Sequence, residues 1–155
     1  VGIVPPPISV AYISSKFATM GIAHGLRNEL AGTNVGISVL CPGMASTRIV
    51  ETTRDLRPAP VAQGAAAATS QAMGNVLAAG MAPGPIGARV LKAILADEFY
   101  IFTHPEWKRL VEPLVAEVLA AFDAPSADPD YAGDDIEALL AANGAKAFGA
   151  GIRKA

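Results

Sequence analysis

The sequence predicts an α/β fold built on a parallel sheet, and three features carry that prediction. Apolar residues recur at helical spacing at Phe17, Met20, Ile22, Ala23, Leu26 and Leu30, and again at Ile86, Val90, Leu91, Ile94 and Leu95. Residues 35–41 are nearly all apolar or small, as expected of a parallel strand covered on both faces. Residues 99–103, Phe-Tyr-Ile-Phe-Thr, form a second β-rich run, so helical and strand patterns alternate along the chain.

Taken in order, Pro5-Pro6-Pro7 cannot lie inside a helix, because proline lacks the N–H and fixes φ. Ser9 suits the N-cap of a helix beginning near Val10 and running to Leu30. Gly21 and Gly25 weaken that helix slightly, but small residues also permit close approach of a neighbour. Gly32-Thr33-Asn34 reads as the helix stop. The strand at 35–41 then ends sharply at Pro42-Gly43, and ligands of open α/β sheets bind beyond such strand ends.

Residues 49–85 open with the charges Arg48, Glu51, Arg54, Asp55 and Arg57 and continue into an Ala-rich run. Met73, Val76, Leu77 and Met81 share one helical face, which suits either an apolar substrate pocket or ordinary packing. A helix is expected over 85–97 with Pro85 at its entrance, and another over 106–122 opened by Pro105. Tyr100 is expected in the core. Residues 123–155 shift to Asp, Pro, Gly and Ala, with a short helix over 134–143.

Composition narrows the function classes. At 155 residues the chain suffices for one ordinary domain, and its net charge of −2 offers no basic patch for nucleic acid. Two histidines and a single cysteine make no metal-ligand cluster. Cys41 ends an apolar strand and reads as a small buried hydrophobe. One cysteine forms no internal disulfide, which fits a reducing, cytoplasmic compartment. The least charged stretch, 58–88, is too polar and too rich in Ala and Gly for a membrane span.

The chemistry concentrates in Tyr12-Ile-Ser-Ser-Lys16 and in Cys41-Pro42-Gly43-Met44-Ala45-Ser46-Thr47. Positions i and i+4 are neighbours on one helix face. A lysine ammonium beside a phenol favours the phenolate, and a tyrosine so assisted suits general acid–base work on an alcohol or ketone. A Tyr and a Lys at this spacing are weak evidence alone. What adds weight is the order of elements, with the pair opening a helix and an apolar strand then running into Pro42-Gly43.

This order of elements, together with Glu29 in the same helix, resembles the short-chain dehydrogenase/reductase family over residues 1–122. The resemblance implies the C-terminal part of a doubly wound, Rossmann-like parallel sheet. The N-terminal nucleotide-binding half is expected to be missing, because no Gly-rich turn follows a strand and the family's catalytic serine falls before Val1. Gly80, Gly84 and Gly87 lie in an Ala/Pro-rich stretch and are rejected as a dinucleotide fingerprint. Within residues 1–122, positions 48–85 would form a variable substrate lid, and 123–155 a tail.

By the same resemblance, Tyr12 and Lys16 would be catalytic. The cofactor, NAD or NADP, would contact Tyr12, Lys16, Pro42, Gly43, Met44 and Thr47. The substrate would be a small alcohol or carbonyl compound. The alternative for Thr47 is a simple helix or turn cap. The helix over 15–30 would pair two copies of the chain, or pack internally against the sheet. A non-catalytic binding or regulatory protein on the same scaffold is the competing reading. By itself this chain is expected to be inactive.

Overall fold

A computed structural model describes residues 2–5, 9–56, 65–130, 133 and 135–144. Pro6, Pro7, Arg57, the segment 57–64, Tyr131, Asp134 and the last stretch of the tail lie outside the described residues. Two compact units make up the chain: Val1–Val39 with Pro105–Ala155, and Leu40–His104.

The first unit contains α1 (Val10–Glu29), which starts where the helical pattern starts. Ser9 occupies the N-cap position, but its side chain makes no capping hydrogen bond. Met20 and Ala23, three apart on one face, are its buried residues, while Ile22 is 63% exposed. The helix gives way to a turn in which Gly32 takes φ 84° and the Thr33 amide bonds the Leu30 carbonyl. A 3₁₀ turn, Pro105–Trp107, leads into α5 (Lys108–Ala120), later than the expected start at 106. Pro113 sits inside α5, where it withholds one helical N–H.

Two short helices follow, α6 (Asp123–Ser126) and α7 (Ile136–Ala142). Asp135 caps α7 by accepting a hydrogen bond from the Ala138 amide at 3.0 Å. This cap fixes the start of the short helix at Ile136.

The second unit is organised by two strands. The β1 strand (Val39–Cys41) and β2 (Tyr100–Phe102) pair as a two-stranded parallel sheet. Between them run α2 (Ile49–Asp55), α3 (Ala65–Ala78) and α4 (Pro83–Leu95). A parallel pair needs such a crossover, because a tight turn can only reverse the chain direction.

The expectation of a strand over 35–41 covered on both faces is corrected: β1 is three residues long, Val39 is buried, Leu40 is 41% exposed and Val35 is 52% exposed. Burial in β2 alternates as well, with Ile101 at 2% exposure between Tyr100 at 36% and Phe102 at 43%. Side chains point to opposite faces along a strand, and among the described residues only one face of β2 is covered. Tyr100 is thereby corrected from core to surface. It stacks on Phe102 at 5.8 Å between ring centroids and meets Phe99 edge-on at 4.7 Å.

Helix α4 begins at Pro83, two residues before the expected entrance, and both Pro83 and Pro85 fall in the first turn, whose N–H groups have no helical partner. Its C-terminus closes as a Schellman motif. The Glu98 amide bonds the Ala93 carbonyl at 2.9 Å, the Asp97 amide bonds the Ile94 carbonyl at 3.0 Å, and Asp97 adopts φ 54°. Asp tolerates this left-handed conformation better than most non-glycine residues. The motif turns the chain directly into β2, and Ala93, Phe99, Ile101 and Thr103 form the buried centre of the unit. Burying Ile101 alone contributes about 1.5–3 kcal/mol. Arg89 on α4 forms a two-pronged ion pair with Glu98, its Nη1 donating to Oε1 at 3.1 Å and its Nη2 to Oε2.

Candidate active site

Tyr12 and Lys16 stand one turn apart on α1, both exposed. The Lys16 ammonium lies 5.3 Å from the centroid of the Tyr12 ring, within cation–π range. Nearby hydroxyls turn back onto the helix. Ser15 Oγ donates to the Tyr12 carbonyl at 2.7 Å, and Thr19 Oγ1 donates to the Ser15 carbonyl at 2.9 Å. The helix therefore presents a phenol 41% exposed with a cation beside it. This arrangement can hand a proton to, or take one from, a ligand at the surface of α1.

Pro42, Gly43, Met44 and Thr47 lie together in the loop that leaves β1, in the second unit. The Gly43 amide is shared between His104 Nδ1 at 3.2 Å and Thr103 Oγ1 at 3.4 Å. Thr103 Oγ1 and His104 Nδ1 are themselves 2.7 Å apart. A Cβ at position 43 would lie 2.6 Å from the His104 ring, so the ring occupies the space a side chain would need.

On its other side the loop meets the residues that follow α3. The Met81 amide bonds the Met44 carbonyl and the Ser46 amide bonds the Met81 carbonyl, both at 2.9 Å, in a parallel bridge between Ala45 and Met81. A Cβ on Gly80 would lie 2.6 Å from the Met44 carbonyl oxygen and 2.9 Å from the Ala45 nitrogen. Gly80, set aside above as a phosphate-binding glycine, is a close-approach glycine for this loop. The Met44 carbonyl, one of the backbone groups expected at the nicotinamide amide, already accepts one hydrogen bond. Thr47 is exposed.

Cys41 is half-buried rather than fully buried, and desolvation raises its thiol above the ordinary value. Met73 at 38% and Val76 at 50% are exposed on α3. Among the described residues, no group of three or more His, Cys, Asp or Glu side chains is placed to hold a metal, and no helix is long and apolar enough to cross a membrane.

Thr103 and His104 were not singled out as site residues by sequence reasoning, although a signal for them existed, and Met81, read there as helical pocket or packing, instead bridges Ala45. In a parallel pair both strands end on the same side, so the residues that follow β1 and those that follow β2 are brought together.

Residues 1–57 match the family model for short chain dehydrogenases. A CLA biosynthesis dehydrogenase/reductase of Lactiplantibacillus plantarum is 32% identical over 128 residues, which is 76% of this chain and 44% of that protein. A 1-deoxy-11-beta-hydroxypentalenate dehydrogenase of Streptomyces exfoliatus is 36% identical over 98 residues, 63% of this chain and 30% of that protein. Among solved structures, a short chain dehydrogenase/reductase from Burkholderia phymatum, crystallised with NAD, superposes with a TM-score of 0.68 at 24% identity, covering 86% of this chain and 48% of the other. The chain thus spans less than half the length of these relatives. Its fold is the C-terminal part of their doubly wound, Rossmann-like architecture. The chain belongs to the short-chain dehydrogenase/reductase family.

Proposed function

We propose that this chain is part of an NAD(P)-dependent oxidoreductase that interconverts an alcohol and a ketone or aldehyde. The observation that carries the reading is the Tyr12–Lys16 pair, a 41% exposed phenol with an ammonium 5.3 Å from its ring centroid. Support comes from relatives whose names are those of dehydrogenases and from the NAD held by the Burkholderia phymatum structure.

The residues present fit the nicotinamide end of such a cofactor. Lys16 is an exposed cation able to bind ribose hydroxyls, and the loop at 42–47 is held by backbone bonds and carries the exposed Thr47. A nicotinamide cofactor, when bound, exchanges a hydride with the substrate carbon. Tyr12 Oη gives a proton to the carbonyl oxygen during reduction and takes it from the alcohol during oxidation. Lys16 keeps positive charge beside the phenol as that proton leaves. Pro42, Gly43, Met44 and Thr47 would hold the nicotinamide end of the cofactor.

Residues 1–122 belong to one catalytic domain in this reading, with 48–85 as a lid over an apolar substrate and 123–155 as a tail. The helix over 15–30 joins two copies of the chain, and the single cysteine suits the cytoplasm. The chain by itself is inactive, because it carries no Gly-rich turn after a strand.

The test is hydride transfer in the complete enzyme. Reduced cofactor deuterated at the nicotinamide C4 is incubated with a panel of apolar ketones, and deuterium is sought at the carbinol carbon. Transfer that survives in wild type and collapses on Tyr12→Phe supports the reading. Its absence with both NADH and NADPH across the panel defeats it.

A further inference from the structure

We propose that Thr103 and His104, the residues that follow β2, are positioning residues for the loop at 42–47. They hold the Gly43 amide and so set the path of the backbone that meets the nicotinamide. The inference rests on the oxidoreductase reading above and adds to it two residues separated from Gly43 by 60 and 61 positions.

The Gly43 amide is the donor shared by the two side chains. An amide N–H only donates, so the Gly43 contact at 3.2 Å requires His104 Nδ1 to be an acceptor. The Thr103 hydroxyl accepts from the Gly43 amide at 3.4 Å and lies 2.7 Å from His104 Nδ1, so both side chains converge on one N–H. Thr103 is 7% exposed, so its hydroxyl is held in a fixed setting. The fit is also steric, since only a residue without a Cβ allows the His104 ring to come this close to position 43.

The opposite side of the loop is held by main-chain bonds to Met81, which persist whatever side chain stands there. The Thr103–His104 side is the one that depends on side-chain chemistry. Removing the His104 acceptor should therefore loosen Gly43, leaving only the longer Thr103 contact, while β1 and β2 stay paired.

Three variants separate this role from simple packing. His104→Phe keeps a ring and removes the acceptor, Thr103→Val keeps the shape and removes the hydroxyl, and His104→Asn supplies an acceptor near the position of Nδ1. Nitrogen-15 spectra of His104 and exchange of the Gly43 amide are recorded in the full chain, and kcat and the cofactor KM in the complete enzyme. The expected result is an unprotonated Nδ1 in wild type and Gly43 exchange faster by about fivefold to tenfold in His104→Phe, the change one hydrogen bond carries. The cofactor KM should rise severalfold in the same variant with kcat less affected, and His104→Asn should restore both readouts.

An Nδ1-protonated imidazole, or unchanged Gly43 exchange in His104→Phe, overturns the proposal. Faster exchange with an unmoved cofactor KM overturns the positioning role while the oxidoreductase reading stands. Faster exchange in an enzyme that binds no nicotinamide at all defeats that reading and the positioning role with it. A His104→Phe chain that fails to fold transfers the same criteria to Thr103→Val.

Discussion

Helix α1 and the loop after β1 each carry candidate site residues, one in each unit, and they are built in opposite ways. On α1, Tyr12 and Lys16 are brought together by helical periodicity alone, within a single turn of main chain. The loop is held by residues that arrive from elsewhere in the sequence, Gly80 and Met81 on one side and Thr103 and His104 on the other. A reactive pair can be encoded locally, whereas a backbone surface that must fit a ligand needs support from distant segments. Damage to the first should therefore cost chemistry with little change in stability, and damage to the second should cost both.

The largest effect tests the first half of that contrast. In the complete enzyme, Tyr12→Phe should lower kcat by about 10²–10⁴-fold, the usual contribution of a general acid or base, while the melting temperature barely moves because the side chain is exposed. Near-normal turnover would remove α1 from the mechanism.

Next in size are the glycines of the loop. Gly80→Ala sets a methyl group against main-chain atoms of Met44 and Ala45, which cannot swing aside, and should cost about 1–3 kcal/mol in denaturant unfolding. Gly43→Ala meets the His104 side chain instead. Its cost should shrink in the Gly43→Ala/His104→Ala double variant, giving a non-zero coupling in a double-mutant cycle. Strict additivity would mean that the ring and the loop do not share the space the structure assigns them.

A smaller effect concerns Cys41 at the entrance to the loop. Burial raises its thiol, so the folded chain keeps the proton after an unfolded thiol has lost it. The stability this contributes is present below the unfolded pKa and declines as pH rises toward the folded one. Iodoacetamide should accordingly label Cys41 more slowly than a model thiol at about pH 8, and denaturant should remove the difference. Equal rates without denaturant would show the loop entrance to be open.

The smallest effect lies where α4 turns into β2. The hydrogen bond from Arg89 holds the Glu98 carboxyl below its ordinary range. A depressed carboxylate stabilises the fold above its unfolded pKa, and the contribution fades as pH falls through the folded value. Glu98→Gln should therefore melt slightly earlier than wild type near neutrality, and the two curves should converge in acid. A gap that persists in acid would assign the effect to packing rather than to charge. The pair is partly solvated, which keeps the effect small.

How much was legible in the sequence varies with the range of the interaction. The start of α1, its stop near Gly32, the break at Pro42-Gly43 and the existence of β2 were all readable from periodicity, proline and glycine. Each depends on a few neighbouring residues. The misjudged cases depend on context. A strand over 35–41 covered on both faces became three residues with Leu40 exposed, and Tyr100 moved from core to surface, because hydrophobic composition shows that a side chain could be buried but not whether anything lies over it. The first turn of α4 starts at Pro83 because two prolines both fit among N–H positions that need no partner.

The sequence by itself determined that Tyr12 and Lys16 meet, since a phenol and an ammonium at i and i+4 on a helix are neighbours whatever else the chain does. The tertiary structure alone decided how the loop after β1 is held. Two parallel strands bring the residues behind their C-terminal ends together, and at 60 positions of separation no local pattern records that Gly43 donates to Thr103 and His104.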